Sequence, residues 1–152
     1  MRFKRKKGKK ISKAKKKVYD GIEFDSGLEV YAYKALKAAK INFKYEPNSF
    51  ILKEKDTRHF KVYKKTPKNA FHQIKTDSNL GISYTTDFAI YDKHGNTIHI
   101  LECKGYMNER FPVIVKLFYT YAIKSLPYLR NFFIPSNQKA VDETIKIILE
   151  DD

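Results

Sequence analysis

The sequence predicts a single α/β domain in which helices pack on a mixed β-sheet. Three segments have apolar residues at helical spacing, and they alternate with short runs of β-branched and aromatic residues bounded by turn signals. The chain has 152 residues, of which 42% are hydrophobic. That length and composition suffice for one buried core.

The first half of the chain predicts one helix followed by two short strands. Apolar residues recur at three and four over residues 27–40, and Ser26 suits the N-cap of that helix. Residues 41–45 and 49–52 predict strands on either side of a bend. Residues 53–80 are polar and lysine-rich without clear periodicity. Long connections of this kind often carry function.

The second half predicts a β-hairpin, a helix, a strand and a last helix. Residues 82–91 and 97–103 are apolar on both faces, which is typical of strands in the centre of a sheet. A helix follows from Pro112, and residues 128–134 predict a further strand. The last helix is marked by Val141, Ile145, Ile148 and Leu149.

The positive charge is concentrated at the N-terminus. The formal net charge is +14, yet residues 1–17 hold eleven basic residues and no acidic one, so residues 18–152 carry an excess of only three. We interpret residues 1–17 as a disordered arm that binds nucleic acid and residues 18–152 as the folded domain. The alternative is a solvated charge run or a localisation signal. The candidate DNA-binding residues are Arg2, Lys4, Arg5, Lys6, Lys7, Lys9, Lys10, Lys13, Lys15, Lys16 and Lys17.

The composition argues against several classes of protein. No segment approaches the roughly 18 apolar residues of a membrane span, and no apolar stretch follows the basic N-terminus as in a secretory signal. Cys103 is the only cysteine, so the chain forms no intramolecular disulfide and no cysteine-rich zinc site. We therefore expect a cytoplasmic protein that does not enter a membrane.

The predicted hairpin brings two carboxylates together. A turn centred on residues 94–95 places Asp87 opposite Glu102, in the register that also pairs Tyr91 with Ile98. Like charges directly opposite each other are destabilising unless a cation lies between them. A slip of one residue in the turn would separate the two carboxylates.

Lys104 lies on the same face one pleat further along, because side chains of a strand alternate with a period of two. The resulting pattern, D-x14-E-x-K, fits a Mg²⁺ ion that binds one or two carboxylates, water and phosphate oxygens, with Mn²⁺ as a substitute. Such a metal would assist hydrolysis of a phosphodiester. The alternative is an ordinary ion-pair cluster in which Lys104 compensates the acids.

These motifs resemble those of a known family. Thr86-Asp87-Phe88, Glu102-Cys103-Lys104-Gly105, Ser26-Gly27-Leu28-Glu29 and Lys44-Tyr45-Glu46 occur in the order found in the PD-(D/E)xK nuclease superfamily. Within it the chain is similar to phage-type endonuclease I, the small Holliday junction resolvases. The resemblance spans residues 22–135, and Thr86 stands where that family usually has proline.

The resemblance implies a restriction-endonuclease-like fold and a role for each matched residue. Asp87, Glu102 and the Cys103 carbonyl would bind the metal, and Lys104 would be the catalytic lysine. Glu29 would be an additional catalytic acid. Its alternative role is structural, because Ser26 and Glu29 also form a capping box, S-x-x-E.

The function implied by the resemblance is a Mg²⁺-dependent endodeoxyribonuclease. It would resolve four-way junctions in branched DNA as a homodimer, in the host cytoplasm if the protein is phage-encoded. Residues 53–80 form a longer segment than we expect for that family, which leaves the DNA substrate open. Two alternatives remain: a nuclease of the same fold acting on linear or single-stranded DNA, and a non-catalytic basic protein that binds nucleic acid.

Overall fold

The computed structural model describes residues 15–47, 49–56, 60–68, 70–74 and 81–151. The helices are α1 (Gly27–Ala38), α2 (Phe111–Ser125) and α3 (Gln138–Asp151). The strands are β1 (Lys17–Tyr19), β2 (Ile22–Phe24), β3 (Phe43–Tyr45), β4 (Phe50–Lys53), β5 (Val62–Lys64), β6 (His72–Ile74), β7 (Ile82–Tyr84), β8 (Phe88–Tyr91), β9 (Thr97–Leu101) and β10 (Asn131–Phe133).

A four-stranded mixed sheet with the order β10-β9-β8-β3 forms the centre of the fold. Strands β9 and β10 are parallel, and the other two pairs are antiparallel. Helices α1 and α3 contribute to the core cluster on one face, and α2 packs with Ile100 on the other. The predicted α/β fold with flanking helices is therefore confirmed. No helix in the described ranges is long and apolar enough to cross a membrane.

Helix α1 begins as predicted and ends earlier than predicted. The Ser26 Oγ accepts the Glu29 N–H at 3.2 Å, which makes Ser26 the N-cap. Lys40 has a φ of 57°, in the left-handed region, and the Ile41 N–H donates to the Leu36 carbonyl at 3.1 Å. These features form a Schellman-type end to the helix, so residue 40 lies outside it.

The predicted strand over residues 82–91 is wrong as one continuous element. Strand β7 pairs with β4 in a separate two-stranded sheet, whereas β8 belongs to the central sheet. Glu46 has a φ of 43° and donates its N–H to the Asp87 carbonyl at 2.7 Å. The chain therefore bends between β3 and β4. Their partner strands, β8 and β7, separate at the same bend.

The register of the β8–β9 hairpin agrees with the prediction over most of its length. Phe88 faces Leu101 and Ala89 faces Ile100, but Tyr91 faces Thr97 rather than the predicted Ile98. A bulge in this pair leaves Ile98 free to enter the core, where it is 3% exposed. Strand β9 ends at residue 101, short of the predicted 103.

Other predicted bounds also change. The strand predicted over residues 128–134 is confined to β10. In α3, Leu149 is 52% exposed, although the spacing of apolar residues in the sequence predicts it on the buried face. The helical turn brings Val141, Thr144 and Ile148 to the buried face instead. Within residues 53–80, β5 and β6 form a two-stranded hairpin that the periodicity does not predict.

The sequence patterns also do not predict the N-terminal hairpin of β1 and β2. Residues 1–14 of the expected arm lie outside the described residues, but Lys17 lies in β1 and the Lys16 Nζ is 2.6 Å from Glu23. The interpretation of Lys16 and Lys17 as part of a disordered arm is therefore wrong. A signal is present in the sequence, since Asp20-Gly21 is a typical hairpin turn and both residues have positive φ.

Strand β2 anchors this N-terminal hairpin through Phe24, which is completely buried and contacts the rings of Tyr33 and Tyr45. We expect Phe24→Ala to lower the free energy of unfolding by about 3 to 5 kcal/mol, because it removes a large buried ring. Val18→Ala, at a position 73% exposed, should change it by less than about 0.5 kcal/mol. Urea unfolding measures both. Equal stabilities would mean that the hairpin is not part of the core.

Candidate active site

The end of the β8–β9 hairpin brings the predicted pair of carboxylates together. Asp87 and Glu102 lie directly beyond the paired residues Phe88 and Leu101, so they continue the same register. The Asp87 N–H donates to the Glu102 Oε2 at 3.3 Å, and the Cys103 N–H donates to the Asp87 Oδ2 at 2.6 Å. The predicted opposition of Asp87 and Glu102 is therefore present in the structure.

Lys104 joins this pair as expected from strand alternation. Its Nζ lies 3.2 Å from the Glu102 Oε1 and 4.7 Å from the centroid of the Phe111 ring in α2. The Lys104 N–H donates to the Pro135 carbonyl at 2.9 Å. The ion pair, the aromatic ring and the backbone hydrogen bond together hold this lysine beside Glu102.

Glu29 is a capping residue of α1. Its Oε1 accepts the Ser26 hydroxyl at 2.7 Å, and its Oε2 accepts the Asp25 N–H at 3.0 Å and the Tyr45 hydroxyl at 2.9 Å. The carboxylate is buried, with 5% of the residue exposed. The predicted pairing of Ser26 and Glu29 is therefore present, with the Asp25 N–H as the backbone donor to Glu29 in place of the Ser26 N–H of a standard capping box. The role of Glu29 as an additional catalytic acid stays a prediction.

Carboxyl groups outnumber cationic side chains at the site. Burial, followed by the charges of Glu102 and Glu29, raises the pKa of Asp87 to about 8, while the Cys103 N–H and Lys104 act in the opposite direction. Lys104 forms an ion pair with Glu102, and no ion pair of Asp87 occurs within the described residues. The acids are thus only partly compensated, and a cation is the natural complement.

Cys103 places its side chain away from this face. The thiol is buried in the core cluster with α1 and α3, and burial, followed by the charge of Asp87, raises its pKa. A neutral buried thiol is a poor metal ligand and a poor nucleophile. Any contribution of Cys103 to a metal would come from its backbone carbonyl, as the resemblance implies.

A pocket of about 230 Å³ opens beside Glu102 and Lys104. Arg110 belongs to its lining, whereas Asp87 does not. The Asn108 Oδ1 accepts the Phe111 N–H at 2.9 Å, so the first turn of α2 borders the pocket. The full lining is Ser83, Tyr84, Thr85, Glu102, Lys104, Asn108, Arg110, Phe111 and Ile114.

Several residues of the pocket lining are not predicted from the sequence. Nothing in the local pattern marks Ser83, Tyr84 or Thr85, because they come from β7 and the bend after it, which the sequence merges with β8. Asn108 carries a signal, since an Asn three residues before Phe111 is typical of a helix cap.

Tyr84 and Thr86, which shortly precede Asp87 in the chain, have buried hydroxyls. That of Thr86 has no hydrogen-bond partner among the described residues, although the residue is completely buried. That of Tyr84 is buried near Glu102, and burial, followed by the charge of Glu102, raises its pKa. Unsatisfied polar groups are rare in protein interiors and call for an explanation, of which a functional role is one.

The donor set suits a hard divalent cation. In the described part of the chain, no three or more His, Cys, Asp or Glu side chains are arranged to hold a metal ion by themselves. Mg²⁺ needs only one or two carboxylates, with water and phosphate oxygens completing its octahedron. Asp87 uses Oδ2 for the Cys103 N–H, which leaves its other oxygen available. Asp87 and Glu102 therefore fit Mg²⁺ better than zinc.

Of the predicted DNA-binding residues, the structure describes Lys15, Lys16 and Lys17. Lys16 forms ion pairs with Glu23 and Asp25, and the Lys17 side chain lies over Gly27 at the start of α1. Arg2 to Lys13 lie outside the described residues. The role of the arm in binding DNA stays a prediction.

The geometry defines an α/β protein with an acidic site and one lysine at the end of a central hairpin. The chain belongs to the family described as Protein of unknown function (DUF1064), whose model matches residues 8–132. The match includes β1 to β9, α1, α2 and all the site residues. Comparisons with curated proteins and with solved structures give no match.

The raised pKa of Asp87 predicts a pH dependence of stability in the absence of metal. The unfolded chain loses this proton near pH 4 and the fold keeps it until about pH 8, so the folded state binds more protons in this window. Relative to Asp87→Asn, the wild type should therefore lose about 1 to 4 kcal/mol of unfolding free energy between pH 5 and pH 8.

Urea unfolding in chelator at pH 5, 6.5 and 8 measures this difference. Glu143→Gln, at a carboxylate 62% exposed on α3, is the matched control and should follow the wild type. Parallel profiles for the wild type and Asp87→Asn would contradict the assignment of the buried proton to Asp87.

Proposed function

We propose that the protein is a metal-dependent endodeoxyribonuclease that hydrolyses phosphodiester bonds in branched DNA, with four-way junctions as its substrate. The observation that carries the proposal is the convergence of Asp87, Glu102 and Lys104 beside a pocket that also contains Arg110. These residue types, in this arrangement, match the requirements of phosphodiester hydrolysis.

Asp87 and Glu102 would hold the metal, Mg²⁺ or Mn²⁺, together with the Cys103 carbonyl. When bound, such an ion lowers the pKa of water and neutralises charge on the scissile phosphate. The Cys103 N–H fixes the orientation of the Asp87 carboxylate, and the Asp87 N–H does the same for Glu102. The hairpin backbone thus orients both acids before a ligand arrives.

Lys104 and Arg110 provide the positive charge of the site. Lys104, held between Glu102 and Phe111, orients the attacking water and stabilises the charge that develops on the phosphate. Arg110 and the first turn of α2 bind a neighbouring phosphate of the strand. Glu29 links α1 to β3 by accepting the Tyr45 hydroxyl, and its charge acts on Asp87 and adds to the attraction for a cation.

The charge balance favours this function over an ordinary ion-pair cluster. Lys104 forms its ion pair with Glu102, whereas no ion pair of Asp87 occurs within the described residues. Burial, followed by the charges of Glu102 and Glu29, raises the pKa of Asp87 to about 8, so its ionised form lacks a compensating cation in the metal-free site. A cluster built for stability would pair its buried carboxylates with cations, since unpaired buried charge is costly. A site built for a divalent cation tolerates this imbalance until the ion binds.

The substrate and assembly follow from the resemblance and from charge. A basic arm binds phosphates with little base selectivity, which suits an enzyme that selects DNA by shape. Resolving a four-way junction takes two symmetric cuts, and a two-fold homodimer supplies them.

Cleavage of a four-way junction by site variants tests the reaction. We expect Asp87→Asn, Glu102→Gln and Lys104→Ala each to lower the Mg²⁺-dependent rate by at least about 10²-fold, because each removes a charge from the reacting centre. Binding to the junction should persist. Glu143→Gln, on the exposed face of α3, should cut at the wild-type rate. Gel assays with Mg²⁺ and with chelator measure both properties.

The same assay separates the alternatives. Equal rates on a junction, a fork and a linear duplex would identify a nuclease of broader substrate range. Wild-type behaviour of all three site variants, with no metal-dependent cutting, would identify a non-catalytic protein that binds nucleic acid.

The basic arm predicts a strong dependence of binding on salt. If about 6 to 10 of its charges contact phosphates, affinity for DNA should fall by about 10³- to 10⁵-fold between 50 and 200 mM salt. Deletion of residues 1–14 should flatten this dependence and leave the cleavage rate at saturating DNA unchanged. Fluorescence anisotropy and single-turnover cleavage measure the two effects. A loss confined to the cleavage rate would place the arm in the chemical step.

A further inference from the structure

The hairpin of β5 and β6 stands apart from the central sheet. Its strands pair with each other in a sheet of their own, and it displays three exposed aromatic rings. Phe60 is 73% exposed, Tyr63 49% and Phe71 72%. Large aromatic residues are normally buried in cores, so their exposure together on one small hairpin points to a binding surface.

Two of these rings stack on each other. Tyr63 and Phe71 are stacked, with ring centroids 5.8 Å apart and an interplanar angle of 25°. Tyr63 faces Gln73 in the register, which makes Phe71 its diagonal neighbour on the same face. We call this exposed Tyr63–Phe71 pair the aromatic platform.

The charge around the aromatic platform has one sign. Residues 60–74 contain four lysines and no acidic residue. Lys61 and Lys65 directly flank β5, two positions before and after Tyr63 in the chain. The four lysines of this segment are all exposed: Lys61, Lys64, Lys65 and Lys68.

We propose that the β5–β6 hairpin binds unpaired nucleotides of DNA, with a base stacked on the aromatic platform and the neighbouring phosphates bound by its lysines. Exposed rings surrounded by cations are the arrangement by which proteins hold single strands, because every base presents a flat face and every phosphate a charge. In a duplex, those base faces are covered by neighbouring bases.

This inference rests on the proposed function for its choice of DNA and narrows the substrate. Branched DNA exposes bases where its arms diverge and in single-stranded tails. The site at Asp87 and Glu102 would cut the backbone, and the aromatic platform would select branches that carry an unpaired segment.

Binding in chelator tests the platform without cleavage. The probes are a fluorescein-labelled single-stranded 15-mer, a blunt duplex of the same sequence and a fork with single-stranded arms. We expect Tyr63→Ala and Phe71→Ala to weaken binding of the single strand and the fork by about 5- to 150-fold and of the duplex by less than about 3-fold. Tyr128→Ala, which removes a ring 59% exposed elsewhere on the surface, should bind all three like the wild type.

A second measurement does not depend on loss of binding. The chain contains no tryptophan, so Phe71→Trp introduces a unique fluorophore into the platform. Stacking on a base should quench its emission with the single strand and the fork, and the duplex should leave it unchanged. Tyr128→Trp is the matched control and should not respond to any probe. Quenching by none of the DNAs, or equally by all three, overturns the proposal.

The two proposals fail in different ways. If the wild type does not cut DNA with Mg²⁺ but the single strand quenches the emission of the Phe71→Trp variant, the platform binds unpaired bases and the nuclease function is wrong. If Asp87→Asn abolishes cutting while Tyr63→Ala and Phe71→Ala bind every probe like the wild type, the function holds and the platform does not bind DNA.

Discussion

The register of the β8–β9 hairpin is the constraint on which the site depends. Backbone hydrogen bonds fix Phe88 opposite Leu101, and the next pair beyond them is Asp87 and Glu102. The ladder therefore forces two carboxylates together at the edge of a core. Burial, followed by the charges of Glu102 and Glu29, raises the pKa of Asp87, and the rest of the hydrogen bonds and packing stabilises the fold against this cost.

The residues that hold the site in place come from elements on both faces of the central sheet. On the face of α1 and α3, Glu29 caps its helix and accepts the Tyr45 hydroxyl from β3. On the face of α2, Lys104 lies against Phe111 and beside the pocket that contains Arg110. The charged groups therefore rest on packed helices and strands rather than on isolated loops, which keeps their geometry rigid.

The predictions from the sequence succeeded where contacts are local and failed where strands change partners. The N-cap at Ser26 and the hairpin register follow from residues a few positions apart. The bend at Glu46, which divides the segment over residues 82–91 into β7 and β8, depends on a residue about forty positions away in the chain. The aromatic content of β5 and β6 gave no periodicity, because that hairpin has no buried face in the central core.

Strand alternation and a short turn were enough to predict from the sequence that Asp87, Glu102 and Lys104 share one end of a hairpin, because both fix positions relative to a nearby turn. The sequence left two roles open for Glu29, and its contacts with Ser26, Asp25 and Tyr45 in the structure established the capping role. Only the tertiary structure shows that Arg110 and the first turn of α2 border the pocket. It also shows that the Cys103 thiol lies in the core. Those contacts join elements distant in the chain, and no local periodicity specifies how such elements pack.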